Sequence, residues 1–289
     1  MHAHWRRLVC LLFLCFSSCG QNPNEPDNSI KSYDVRGYVR RLAEDRTYAD
    51  ILHEAIPDYM GSMTMRLKPA QPSDLSDVSE GDQITFRLVV TPDRSWIDTV
   101  AKTGEHDPSL ILEPTPTLSH QMAPGSPLPP FQLIDQDGVS VSDAEFSSIP
   151  VVVTFLFTRC PLPDYCPLLA KRFQEAQELL TERHSDEDWV LLAITIDPEF
   201  DTPEILKEYG ARYNQDRQRW RFLTGAPETI VELQNAFGLY VAEEGTSLSH
   251  NLRTGVFGPD GTLQAAFAGN QWTASELVDA LAATWSSEP

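Results

Sequence analysis

The most evenly apolar stretch of the chain is Val151-Val152-Val153-Thr154-Phe155-Leu156-Phe157. A strand with one wet face alternates apolar and polar side chains, whereas a run apolar on both faces belongs inside a sheet, and this run is too short to cross a bilayer. It predicts a buried central strand. Prolines at 161, 163 and 167 then bar ladder or helix until Leu168, where Leu168, Leu169, Phe173, Ala176, Leu179 and Leu180 recur at helical spacing. Cys160 and Cys166 therefore fall in a stiff loop between strand and helix. Around them the pattern alternates: 131–134 and 139–141 flank Asp137-Gly138 as a hairpin, 189–196 is an apolar strand, 202–213 a helix, 220–223 a short strand and 227–237 a helix. A last hairpin, 254–257 with 262–267, turns at Gly258-Pro259-Asp260-Gly261 and precedes a helix over 273–285.

The first half of the chain has a different rhythm. Residues 33–41, 48–53, 63–67, 83–91 and 95–100 read as short strands separated by turn signals at Glu44-Asp45, Glu80-Gly81-Asp82 and Pro92-Asp93. Five short strands in so little chain predict a small closed or half-closed β-barrel over 33–102. Prolines then punctuate 103–127, which reads as a semi-rigid linker; His106, His120 and Met122, in or near it, are taken as solvent-facing residues. In 128–289 the order of strand, cysteine loop, helix, strand, helix, terminal hairpin and helix is that of a thioredoxin-like α/β domain.

Charge narrows the partners. A formal net charge of −20 over 289 residues argues against nucleic acid and against electrostatic binding to anionic lipid. The N-terminus supplies another route to a membrane: His2, His4, Arg6 and Arg7 precede the apolar run 8–16, and Ser17-Ser18-Cys19-Gly20 follows. Such a run is too short to span, so 1–18 reads as a signal peptide whose end resembles the bacterial lipobox, with Cys19 lipidated and 19–32 a polar tether. The expected location is the periplasmic side of a bacterial membrane.

Of five cysteines, Cys10 and Cys15 leave with the signal and Cys19 carries lipid, so Cys160 and Cys166 remain as thiols. Pro167 suits the first helical position and places Cys166 at the helix cap, where free N–H groups and the helix dipole favour thiolate. Outside the cytoplasm the pair is a structural bridge, a redox pair or a set of metal ligands. A second candidate set lies in His53-Glu54-Ala55-Ile56-Pro57-Asp58-Tyr59-Met60-Gly61-Ser62-Met63-Thr64-Met65, which holds three of the chain's five methionines. On a strand Met63 and Met65 share a face, with Met60 and His53 approaching from the preceding loop and strand. Thioethers and an imidazole suit Cu(I); equally, methionines fill barrel cores.

Two families share these motifs. His53-x-x-Ile56-Pro57-x-x-Met60-x-x-Met63-Thr64-Met65, followed by Val78-Ser79-Glu80-Gly81-Asp82, resembles the CusF-like periplasmic copper-binding domain, an OB-type barrel. That resemblance implies Cu(I) ligation by His53, Met63 and Met65, with Met60 near the position of the family's aromatic lid or serving as a fourth ligand. Thr158-Arg159-Cys160-Pro161 to Cys166-Pro167, Asp197-Pro198-Glu199-Phe200-Asp201-Thr202-Pro203, and Ser249-His250-Asn251 ahead of Val256-Phe257-Gly258-Pro259-Asp260-Gly261 resemble the Sco/SenC family. This resemblance implies copper held by Cys160, Cys166 and His250, although the family's commonest loop has fewer residues between its cysteines.

The expected fold is thus an α/β thioredoxin-like domain preceded by a small all-β OB-type barrel. The family resemblance implies a copper chaperone, a carrier more than an enzyme, that serves the binuclear copper site of cytochrome c oxidase through its subunit II or another copper recipient. Two alternatives stand beside it: a metal-independent thiol-disulfide or peroxide-linked oxidoreductase using Cys160 and Cys166 as a redox pair, and a copper buffering or resistance module. Asp197 is placed to orient a ligand or partner, Asp201 to cap the helix near Thr202, and Arg159 and Asp164 as solvated residues flanking the loop.

Overall fold

A computed structural model of the chain describes residues 30–112, 122–213, 216–244 and 247–285. The signal, Cys19 and most of the tether, together with His120, lie outside those residues.

Strands β1 (Lys31–Leu42), β2 (Ala49–His53), β3 (Met63–Leu67), β4 (Asp82–Val90) and β5 (Ser95–His106) form one antiparallel sheet in the order β3-β2-β1-β4-β5. Its two edges approach one another just past β3: Ile97 N–H donates to the Lys68 carbonyl and Ala70 N–H to the Ile97 carbonyl, both at 2.8 Å. This short bridge joins the two edges, but among the described residues no full ladder closes the barrel. Its interior alternates along the strands, as on Val35 and Val39 of β1 and Met63, Met65 and Leu67 of β3, all buried. Strand β5 runs on past the predicted end to His106, whose Nδ1 meets Asp82 Oδ1 at 3.1 Å.

The second unit is built on β6 (Gln132–Asp135), β7 (Ser140–Ser142), β8 (Val151–Leu156), α1 (Cys166–Arg183), β9 (Val190–Thr195), α2 (Pro203–Gly210), β10 (Trp220–Thr224), α3 (Pro227–Ala236), β11 (Val241–Glu244), β12 (Ser247–His250), β13 (Arg253–Phe257), β14 (Leu263–Ala268) and α4 (Ala274–Trp285). The sheet order is β14-β13-β8-β9-β10-β6-β7. The predicted central strand is central: every residue of β8 is buried, with β9 parallel on one side and β13 antiparallel on the other. Helix α1 packs on β8 and against α4, α2 covers β10, and Trp189, Trp220, Phe155, Phe173, Phe222 and Phe257 fill the core. Met122 packs against this core, which corrects its reading as a solvent-facing residue.

The sequence pattern did not anticipate the small two-stranded β11–β12 ribbon, in which Val241 pairs with His250. Its strands are short and carry Ser and Glu, so neither apolar run nor alternation marks them. At the base of the ribbon, Asn251 Oδ1 accepts from Tyr240 N–H at 2.8 Å and its Nδ2 donates to the Gly238 carbonyl at 3.1 Å. This side-chain clamp fixes where His250 emerges.

Candidate metal centre

The loop from Phe157 to Tyr165 leaves the carboxyl end of the central strand, the edge at which open α/β sheets present their sites. The helix begins one residue earlier than the prolines suggest: Tyr165 is the cap, Cys166 the first helical residue and Pro167 the second. Cys166 is fully buried and Cys160 half-buried; both are free thiols. Across the loop, the ring of His250 packs edge-on to Phe157, with centroids 5.5 Å apart.

His250 Nε2 lies 3.8 Å from Cys166 Sγ, while Nδ1 meets the Asn251 carbonyl at 2.8 Å. A carbonyl only accepts, so Nδ1 carries the proton and Nε2 turns its lone pair toward the sulfur. Two donors of one ion bonded at about 2.0–2.3 Å each stand at comparable separation. Cys160 Sγ lies 3.8 Å from the Leu162 carbonyl oxygen, and Cys166 and His250 are the neighbours that act on its thiol. Among the described residues no trio of His, Cys, Asp and Glu side chains is drawn up at full ligating spacing. The donor set of two thiols and an imidazole nonetheless has the softness that copper requires.

The two thiols are electrically unequal. Burial pushes Cys160 up, but the neighbouring Cys166 and His250 outweigh it and bring the thiol down to about 5. Burial pushes Cys166 well up, and the neighbouring Cys160 thiolate raises it further. Of the two, Cys160 is the thiol that gives up its proton more readily. The sequence argument had placed the thiolate at Cys166 from the helix dipole; desolvation of that fully buried sulfur is the stronger effect.

The loop is held from below by carboxylates. Arg159 Nε and Nη2 donate to Asp197 Oδ2 at 2.9 and 2.6 Å, and the guanidinium lies over the Phe200 ring at 4.2 Å. Asp197 thus orients the loop's arginine. Asp201 is not the helix cap, a role taken by Thr202, whose Oγ1 accepts from Ile205 N–H. Asp201 is instead fully buried and accepts from the Thr158 N–H and hydroxyl and the Thr195 hydroxyl; burial raises its pKa. Asp164 is likewise not a solvated flank: it is buried and accepts from Ser95 Oγ at 2.7 Å.

In the barrel, His53 and Met63 are direct cross-strand partners, and Met65 lies two residues on, opposite Ile51. All three side chains are buried, and they share one face by strand alternation. His53 repeats the arrangement of His250: its Nδ1 meets the next residue's carbonyl, Glu54 O, at 2.6 Å, so Nε2 is the lone-pair nitrogen. Met60 is half-buried on a tight turn in which Ile56 and Met60 exchange backbone hydrogen bonds of 2.8 and 3.0 Å. Opposite His53 stands Gly37, where an added Cβ would come within 2.7 Å of the Leu52 carbonyl and 2.9 Å of His53 Cα. Only glycine lets β1 approach so closely.

Sequence reasoning missed how the cysteine loop meets the barrel. Leu162 is buried in the barrel's apolar cluster with Met63 and Met65, and Cys160 packs against both cores. Tyr59 Oη donates to the Pro161 carbonyl at 2.8 Å, Tyr165 Oη to the Arg66 carbonyl at 2.7 Å, and Lys171 pairs with Asp93 at 2.5 Å. A single leucine isolated among prolines was the available signal.

Comparison with known proteins accords with both halves. Residues 121–286 match the SCO1/SenC family model, and residues 32–102 match the model for the copper binding periplasmic protein CusF. The chain is 32% identical over 113 residues to the SCO2-like protein RP587 of Rickettsia prowazekii, which covers 39% of this chain and 52% of that protein. It is 28% identical over 144 residues to the SCO1 protein homolog of Bacillus subtilis, covering 48% and 72% respectively. The chain thus spans about half the length of the first of these relatives, 52%. Among solved structures it is similar to BsSco, a protein described as having a disulfide switch and as a member of the Sco family of cytochrome c oxidase assembly proteins. That likeness has a TM-score of 0.50 and 26% identity and covers 58% of this chain and 98% of the other. Since the SCO1/SenC match takes in more than half of the residues and a CusF-type region precedes it, copper is the ligand, and the chain belongs to the SCO1/SenC family.

Proposed function

We propose that the protein is an exported copper carrier that supplies the binuclear copper site of cytochrome c oxidase, with Cys160, Cys166 and His250 holding the ion that is handed on. The observation that carries this reading is the 3.8 Å approach of His250 Nε2 to Cys166 Sγ, with Nδ1 tied to the Asn251 carbonyl. An imidazole fixed in that tautomer offers its lone pair where a third ligand is needed. Two thiolates alone suit Cu(I); the added imidazole makes the set acceptable to Cu(II) as well. His53, Met63 and Met65, with Met60 as a fourth donor, hold Cu(I) in the barrel. BsSco's description as a cytochrome c oxidase assembly protein supports subunit II, or another copper recipient, as the partner. Cys19 carries a lipid that keeps the chain at the periplasmic face; among the described residues no helix is long and apolar enough to cross a membrane. Mass spectrometry of the membrane-extracted N-terminus tests the lipid, and an unmodified Cys19 would contradict it.

The low pKa of Cys160, about 5, favours a second reading, thiol-disulfide exchange with the copper recipient's cysteines. Complementation of a deletion strain separates the two. A carrier with His250→Ala fails to restore oxidase activity, as do Cys160→Ser and Cys166→Ser. Full complementation by His250→Ala, with both cysteine variants inactive, assigns exchange instead.

A further inference from the structure

Three features meet at one seam. Leu162 is buried in the cluster that holds Met63 and Met65, Cys160 packs against both cores, and strand β12, which ends in His250, packs against β3, which carries Met63 and Met65. Every residue between the two cysteines except Pro163 has a described role there: Pro161 accepts from Tyr59, Leu162 fills the barrel cluster, Asp164 accepts from Ser95, and Tyr165 donates to the Arg66 carbonyl. Asn270 also donates to the Asp164 backbone carbonyl, so the loop is gripped from both units. Docking leaves Cys166 fully buried and Cys160 half-buried between the two units.

We propose that the two ligand sets act as one relay: Cu(I) enters on the methionine face of the barrel and passes across the Leu162 seam to Cys160, Cys166 and His250 within the same chain. The inference rests on the proposed copper role of both sets. Its direction follows from the donor types: thioethers are neutral, whereas cysteines ligate copper as anionic thiolates, so the cysteine set is the stronger holder of a cation. The step is ligand exchange without redox change. Bonds to copper from the His53 nitrogen and the Met60, Met63 and Met65 sulfurs break, bonds from the two cysteine sulfurs and the His250 nitrogen form, any thiol proton displaced leaves to the buffer, and the ion remains Cu(I). The methionines are thus an intake for the cysteine site as well as a store.

The test adds one equivalent of Cu(I), presented on a chromophoric chelator, to the reduced full chain and follows loading of the cysteine set by protection of Cys160 from alkylation. Met63→Leu/Met65→Leu preserves apolar volume at the seam and touches no ligand of the cysteine set. The relay predicts that this variant loads its cysteines about tenfold more slowly or worse, because it lacks the millimolar effective concentration of a tethered donor, yet reaches the same final protection. Equal loading rates in the variant and the unaltered chain would overturn the relay while leaving both copper sites in place. Equal total copper at saturation in the two proteins would show that the barrel never held the metal, and would overturn the relay together with the reading beneath it. A variant that loads slowly and also stops at lower protection would point to a disturbed cysteine site and likewise count against the relay.

Discussion

Tyr59, on the barrel's turn before β3, donates its hydroxyl hydrogen to the backbone carbonyl of Pro161, one residue past Cys160, at 2.8 Å. The carbonyl is part of the loop and cannot be substituted away, but the donor can. Tyr59→Phe keeps the ring stacked on Tyr33, with centroids 4.5 Å apart, and removes only the hydrogen bond. The expected cost is about 1–3 kcal/mol, toward the upper end if the Pro161 carbonyl stays unpaired. Cys160 in this variant should react faster with an alkylating reagent, at unchanged sheet content by circular dichroism. An unaltered alkylation rate would mean that the bond does not restrain the loop.

The unequal thiols give a pH signature. Cys160 is lowered from an ordinary 9.0 to about 5, so its alkylation rate should rise through about pH 5 and stay flat toward neutrality. An ordinary thiol with pKa near 8.5 gains about tenfold per pH unit over the same range. His250→Ala removes one of the neighbours that hold the value down and should move the rise upward. The linkage to stability follows the same sign: the Cys160 contribution is whole above 9.0 and is lost as pH falls through about 5. Cys166, raised, works in the opposite sense, its contribution present below 9.0 and lost as pH rises past its folded value. A rate profile without a plateau between these limits would contradict the assignment of the thiolate to Cys160.

Gly37→Ala tests how the barrel positions His53. The new Cβ would stand 2.7 Å from the Leu52 carbonyl and 2.8 Å from Ile51 Cγ2, both closer than real contacts allow. The strands must part, at roughly 1–3 kcal/mol, and His53 moves with them. Chemical unfolding should report the loss, and copper bound by a Cys160→Ser/Cys166→Ser chain should weaken when Gly37→Ala is added. Unchanged stability and affinity would show that β1 yields at this point without disturbing the histidine.

Much of this was legible because strong local patterns agreed with the global fold. The all-buried run at β8, the proline-bounded loop and the helical spacing after Leu168 each admit one reading, and the structure follows them to within a residue or two. The β11–β12 ribbon was illegible because its Ser-rich strands are held by Asn251, a side chain whose clamp has no periodic signature. Asp164 and Asp201 misled for a related reason: a loop carboxylate is solvated by default and one just before a helix reads as its cap, and only the tertiary structure supplies the hydroxyl donors Ser95, Thr158 and Thr195. The docking of Leu162 was hidden too, since sequence patterns report faces within an element and say nothing of which other element will cover them. The cysteine spacing, wider than the commonest Sco/SenC loop, now has a structural reading: the intervening residues occupy the seam with the barrel.

The most direct measurement of the central idea, two soft donor sets on one chain, is the copper content of the reduced full-length protein at saturation. The unaltered chain should hold about two Cu(I) ions, one for each set of soft ligands. Cys160→Ser/Cys166→Ser should hold about one, on His53, Met63 and Met65, and Met63→Leu/Met65→Leu should hold about one, on Cys160, Cys166 and His250. A methionine variant that retains the full copper content would return Met63 and Met65 to the barrel core and contradict the account.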